Sequence, residues 1–408
     1  MRRVAITGVG VVSPIGSGRE NFLQALKRGQ AGLGAITSFD PWEFEIKTAG
    51  QVKECPSFSD ELENQSARVD PKIAFGLRAA QEALDDAGIA RFRRDTLLHI
   101  GVSLEIFNLS GLRYASDAPE QSLREFIRSG NIRRPLDTLT DLLIRRYGTP
   151  GRSLTNVSAC VAGAQALGHA FNGVGSGLYE TALAGGCDSM LNPLALGGFQ
   201  RLGALAISQQ PEPLLCRPFD SGRGGLVLGE GAAMLVLEPW EKARAEGKTV
   251  YAEICGYGAS LDAFSLSAPD SRGQGAVSAM TGALSSAAMR PEEIGHISTH
   301  GTGTLLNDPV EALAVRSVFP NWQDIPAASI KAMTGHLIAA AGPLEALACV
   351  LSLRHEFVPP NISLKKIGAG CELNHVTGQA LSYSCATALS NSFGFGGQNA
   401  ALIFRKAN

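Results

Sequence analysis

The sequence predicts an α/β fold made of two similar halves, and three observations predict it. Hydrophobic residues make up 45% of the 408-residue chain and charged residues 18%, with no low-complexity tract, so a large interior can be buried. Strand-like and helix-like patterns alternate from the N-terminus onward, which favours α/β layering. The patterns of the first half then recur, in the same order, in the second. A chain of this length exceeds a single typical core, which predicts two domains or two fused halves. The charged helix and turn EPWEKARAEGKTV marks the break, giving residues 1–245 and 246–408.

RRVAITGVGV reads as a buried strand, KIAFGLRAAQEALDDAGI as an amphipathic helix, and TLLHIGVSL as a second buried strand. Residues 104–150 depart from this pattern. They are polar and Arg-rich, and read as an excursion of short helices at the surface or at an interface. Four pairs of segments carry the repeat. VAITGVGVVSP is echoed by VYAEICGYGAS, and AAQEALDDAGIARFRRDTLLHIGVSL by MTGALSSAAMRPEEIGHISTHG. LTNVSACVAGAQALG is echoed by ASIKAMTGHLIAAAGPLEALA, and GGLVLGEGAAMLVLE by GFGGQNAALIFRK. A pseudo-twofold arrangement follows, in which equivalent strand-to-helix junctions meet near the axis and bring Cys160 close to the Lys331–His336 turn.

Several function classes are excluded by composition. The net charge of -2 argues against nucleic acid or an acidic membrane surface as a bulk partner. Cysteines at 55, 160, 187, 216, 255, 349, 371 and 385 form no C-x-x-C pair and no zinc-like cluster, so neither a disulfide framework nor a metal is expected, and the compartment is the reducing cytoplasm. MRRVAITGVGVVSPIG mimics a signal peptide, but glycines interrupt its apolar run and it reads better as a first strand. No stretch reaches the roughly 18 apolar residues that a membrane span needs. GVGVVSPIG is G-x-G without a downstream acidic partner, so no nicotinamide or flavin is implied. NSFGFGGQNAALIF runs into a strand rather than a helix, and reads as a tight turn lining a site instead of a phosphate cradle.

Cys160 stands in TNVSACVAGAQALGHA, at the start of a small-residue helix, where amide groups and the helix dipole favour a thiolate. The competing reading is a small buried hydrophobe, the fate of most free cysteines. His300 follows the apolar strand IGHIST and opens the loop GTGT, and His336 stands in KAMTGH at the head of another helix. Either histidine alone reads as structural. Two imidazoles and a thiol at glycine-flanked junctions point to acyl transfer or carbon–carbon bond chemistry, with the histidines stabilising an enolate or oxyanion. Lys331 supplies positive charge, and Asp308 and Glu311 either pair with it or cap the following helix, the structural role being favoured for both.

The chain resembles the β-ketoacyl-acyl carrier protein synthases, condensing enzymes of the thiolase fold, over essentially its whole length. The family's segments arrive in order: VSACVAG, RPFDSGRGGLVLGEGAA, HGTGTLLNDPVEA, KAMTGHLIAAAG and NSFGFGGQNAALI. The resemblance implies a layered αβαβα architecture and a Cys-His-His enzyme without cofactor or metal. Cys160 would take an acyl group from a carrier-protein thioester, and His300 and His336 would assist decarboxylation of malonyl carrier protein. Lys331 would support the second histidine and contact the Glu311 side. The amides of Cys160 and Phe395 would form the oxyanion hole, Phe395 would gate the acyl pocket, and Thr302 and Thr304 would hold the phosphopantetheine arm. Phe393 and Glu311 would fall among the substrate-binding residues. Arg68, Lys72 and Arg201 would mark a carrier docking face, with Arg128, Arg133 and Arg134 adding a basic cluster. A homodimer is implied, with a heterodimer as the alternative.

The chain departs from the family at Val161 and Ala162 after the nucleophile, at Leu305 and Pro309, and in VSLEIFNLSG, which lacks the glycine-rich pattern of fatty-acid elongating members. These departures touch the acyl pocket and keep a specialised polyketide or polyene ketosynthase as the alternative to fatty-acid elongation. A non-catalytic chain-length-factor subunit would lack the cysteine. A degradative thiolase would carry a second cysteine where NSFGFGG stands.

Overall fold

A computed structural model describes residues 1–41, 44–55, 58–60, 63–64, 70–103, 136–208 and 210–407. The strands on the main path of its large sheet, in chain order, are β1 (Val4–Ser13), β2 (Thr96–Val102), β3 (Arg152–Val157), β4 (Thr181–Ser189), β5 (Glu230–Pro239), β6 (Ala252–Leu261), β7 (His296–Ser298), β8 (Ala327–Ala328), β9 (Thr387–Gly394) and β10 (Gln398–Lys406). The principal helices are α1 (Pro71–Asp86), α2 (Ala162–Gly175), α3 (Pro193–Arg201), α4 (Gln274–Ala287), α5 (Asn307–Val318) and α6 (Ala341–His355).

Across the sheet the strands run β8-β7-β9-β10-β6-β1-β5-β4-β2-β3. Numbered by appearance within each half, both halves have the order 3-2-4-5-1, and the two copies meet at their first strands. That identity of order is the repeat foreseen from the sequence. The seam is slight: β1 and β6 pair antiparallel through Val4 with Ile254, Ala5 with Glu253 and Ile6 with Ala252. Within each half the second, third and fourth strands are parallel and form the outer edge, and the fifth pairs antiparallel with the fourth and with the first, toward the seam.

Helices α2 and α6 lie between the two half-sheets, α2 touching β4 and β2 on one side and β6 and β10 on the other. Helix α1 covers the outer face of β1 and β5, and α4 covers β6 and β10 with α5 beside it. The result is five layers, αβαβα. Burial on both faces explains why β1, β4 and β5 read as unbroken apolar runs rather than alternating ones. Small residues let the two central helices approach closely. A Cβ on Gly163 of α2 would lie 2.3 Å from Cγ of Pro343 and 2.5 Å from the carbonyl oxygen of Ala339.

The described end of the excursion is not confined to the surface. Residues 104–135 lie outside the described residues, together with Arg128, Arg133 and Arg134. Thr138–Tyr147 forms a helix that buries Leu139, Leu142, Leu143 and Tyr147 in the core on the α1 side. Its arginines face outward while its leucines, spaced three and one apart, fall on one stripe, which the charge content of the segment masked.

Candidate active site

Two of the three chemistry-bearing segments follow equivalent points, the third strand of each half, and the third follows the neighbouring second strand. Cys160 lies in the 3-10 turn Ala159–Val161 between β3 and α2, and Lys331 and His336 lie between β8 and α6. His300 follows β7. These are the carboxyl ends of parallel strands, where α/β sheets place their ligands. The structure brings Cys160, His300, His336, Thr302, Thr304, Phe393 and Phe395 together around one cavity of about 370 Å³.

The Cys160 turn is held under local strain. Ala159 has φ 48°, left-handed for a residue with a Cβ, and such backbone costs on the order of 1–3 kcal/mol unless its surroundings impose it. The Cys160 thiol is 3% exposed and lies against the backbone N–H of Phe395 and its own. Burial pushes it up to about 12, opposed first by the nearby Lys331. Of the two readings open for this residue, a thiolate favoured at a helix start and a small buried side chain, burial is the larger effect on the thiol, with the amides and Lys331 acting against it.

Both histidines are neutral donors. His336 Nδ1 accepts from the Ile338 amide at 3.2 Å, which leaves its proton on Nε2. Lys331 Nζ lies 3.2 Å from His300 Nδ1, and because a lysine side chain donates, His300 also carries its proton on Nε2. Burial holds both rings well below the usual imidazole range, reinforced by Lys331 and, for His300, by His336. The rings meet edge to face with centroids 5.2 Å apart.

Lys331 is placed differently from the expectation. It contacts the first histidine rather than the second, donating also to the His300 carbonyl oxygen, and its carboxylate partner is Glu345 of α6 rather than Glu311. Glu345 is the site residue that sequence reasoning missed. Its signal was a single acidic side chain inside the apolar helix PLEALACVL, which is costly to bury unless paired. Burial pushes its carboxyl up to about 7, with Lys331 opposing.

Glu311 does not line the cavity. Its two oxygens accept from the amides of His300 and Gly301, each at 2.7 Å, so it sits behind the loop and not among substrate-binding groups. Burial pushes it up to about 7 as well. Asp308 laces the same loop, accepting from Thr302 N at 3.1 Å and from Phe219 N at 2.7 Å. On the cavity side, the hydroxyls of Thr302 and Thr304 lie 2.9 Å apart.

Phe393 is buried with its ring 5.9 Å from His300, whereas Phe395 is half-buried and leans on Phe199 at 6.2 Å. Behind Cys160 and Phe395, Met190, Leu191, Leu196, Leu205 and Ile338 form an apolar wall suited to an acyl chain. Of the docking residues, Lys72 is a correction. It is 3% exposed and paired with Asp70 at 2.8 Å, because it occupies an inward position of α1, and it cannot meet a carrier protein. Arg201 is exposed at the end of α3, beside the cavity-lining Leu202. Arg68 lies outside the described residues.

The model of the β-ketoacyl synthase N-terminal domain matches residues 1–243, and that of the C-terminal domain residues 251–365. The chain belongs to the β-ketoacyl synthase family. Among relatives of this synthase, the 3-oxoacyl-[acyl-carrier-protein] synthase 2 of Synechocystis sp. is 34% identical over 410 residues, covering 99% of this chain and 98% of the relative. A β-ketoacyl synthase from Burkholderia phymatum superposes with a TM-score of 0.89 at 31% identity, with complete coverage of both chains. A type II polyketide ketosynthase solved with its acyl-carrier protein superposes with a TM-score of 0.87 at 28% identity, again with complete coverage. The αβαβα layering and the two pseudo-twofold halves are those of the thiolase-fold ketosynthases.

Proposed function

We propose that the chain catalyses a decarboxylative Claisen condensation, joining an acyl group carried on Cys160 to malonyl-acyl carrier protein to give β-ketoacyl-acyl carrier protein, as in fatty-acid elongation. One observation carries this reading. A cysteine flanked by two amides and two neutral Nε2–H imidazoles face one cavity. A soft nucleophile suits a thioester, and N–H donors suit an enolate oxygen.

In this reading the Cys160 sulfur attacks the acyl thioester, and the amides of Cys160 and Phe395 hold the oxyanion until the carrier thiol leaves with a proton. Malonyl carrier protein then enters. His300 and His336 donate to its thioester carbonyl as the carboxylate leaves as CO2, and the enolate carbon attacks the acyl-Cys160 carbonyl, releasing the sulfur as a thiolate that takes a proton from solvent. Thr302 and Thr304 hold the pantetheine arm, Phe393 shapes the cavity beside His300, and Phe395 stands at the acyl wall. Residues 1–245 supply the nucleophile and 246–408 the histidines. The protein works in the cytoplasm as a homodimer without cofactor or metal, and Arg201 contributes to carrier docking.

A specialised polyketide ketosynthase with its own carrier protein, in a homodimer or a heterodimer, is the second reading. The likeness to a type II polyketide ketosynthase and the departure at VSLEIFNLSG favour it. Condensation assays with fatty acyl and polyketide carrier proteins decide between them, and no product from any carrier with malonyl carrier protein would reject both.

A further inference from the structure

Behind the His336 turn lies a buried carboxylate that the chemistry above does not use. Asp188, at the end of β4, is 0% exposed. Its Oδ1 accepts from Ser189 N at 2.9 Å, and its Oδ2 from Ala339 N at 3.0 Å. Ala339 follows Ile338, whose own amide donates to His336 Nδ1. Two successive amides of one turn are thus divided between Asp188 and the histidine. The turn needs such an anchor, because Ile338 is held at φ 49°.

A carboxylate serves here where an amide would not. Both oxygens accept, and an asparagine in the same place would turn its NH2 toward one of the two donors. Burial pushes the Asp188 carboxyl up to about 6, and the charge that most opposes this is Lys72. The lysine misplaced on a docking face therefore has a partner inside the protein.

We propose that Asp188 is a positioning residue for His336: by holding the Ala339 amide it fixes the Ile338 amide against Nδ1 and keeps the ring proton on Nε2, with buried Lys72 as its counter-charge. The proposal rests on the condensation reading only for the use made of that proton. Asp188→Asn leaves Lys72 paired with Asp70, so the buried lysine keeps a counter-charge. In 15N-histidine spectra of the full chain, wild type shows His336 protonated at Nε2 alone, and Asp188→Asn shows mixed tautomers. Decarboxylation of malonyl carrier protein falls about tenfold or more, as displaced catalytic groups do. Acylation of Cys160 stays within about threefold, a split that general loss of fold would not give. Asp188→Glu, which keeps the charge but displaces both oxygens, is read in the same way if the asparagine variant does not fold. An unchanged tautomer, or equal loss of both half-reactions, overturns the proposal. Absence of decarboxylation in wild type would instead reject the condensation reading, leaving the spectra to judge the positioning.

Discussion

Ala159 and Ile338 are the same position in the two halves of the protein. Each opens a 3-10 turn, with φ of 48° and 49°, and each turn leads directly into one of the two central helices. One copy presents Cys160 as its next residue. The other presents Ala339 there and has given the preceding His336 to the cavity. The same strained strand-to-helix corner thus occurs twice, once offering Cys160 and once offering His336 to a shared cavity.

Separation of the half-reactions follows from that division. His300→Ala and His336→Ala each remove one donor from the enolate oxygen, and each is expected to slow malonyl decarboxylation by about 10²–10³-fold, the usual cost of an oxyanion donor. Acylation of Cys160 in these variants should change far less. Comparable losses in both steps would assign the histidines to the nucleophile instead.

The pH dependence has a definite sign. Burial lowers both imidazoles, so they remain neutral below their ordinary value of 6.5. Decarboxylation by a Cys160→Ala variant should show no loss from pH 8 down to 6. A decline within that range would show that the rings, or the Glu311 and Glu345 carboxyls raised to about 7 behind them, take up protons that the reaction feels. For stability the same shift means that the two rings favour folding above pH 6.5, and that this contribution is lost as the pH falls further.

Removing the partner of Lys331 should cost stability as well as activity. Both side chains of the Lys331 and Glu345 pair are nearly inaccessible. Glu345→Leu leaves the lysine buried without its carboxylate, a change that typically costs about 3–5 kcal/mol. Denaturant unfolding measures it, and a shift of under about 1 kcal/mol would mean the pair is screened as a surface pair would be.

Contact between α2 and α6 sets a further limit. Gly163→Ala would drive a methyl group into Pro343 and the Ala339 carbonyl, and overpacking of this kind costs about 1–3 kcal/mol. Thermal melting of the variant tests this, and an unchanged midpoint would contradict the close packing.

Much of this arrangement was legible in the residues, because it rests on local pattern. The unbroken apolar strands, the repeated segments and the glycine-flanked Cys160, His300 and His336 each follow from neighbours in sequence. Lys72 differs from its expected place because the resemblance carries over a segment and not a side-chain direction, and its inward direction depends on how α1 meets β4. Glu345 and Asp188 escaped for a different reason. Each lies in an apolar segment, and what settles its burial is set by the folded chain: the Lys331 ammonium turns back onto Glu345 from 14 residues before it, and the Ala339 amide reaches Asp188 from the other half. For Cys160 the sequence offers both a helix start and a small buried side chain, and the structure shows both at once, with their balance set by how closely the surrounding elements pack.

The central claim is that Cys160 is the acyl acceptor. Intact-protein mass spectrometry after incubation with a panel of acyl carrier proteins of different chain length, followed by peptide mapping, tests it most directly. The predicted result is a single acyl addition confined to the peptide containing Cys160 and abolished in Cys160→Ala. Acylation at another residue, or full condensation by the Cys160→Ala variant, would contradict it.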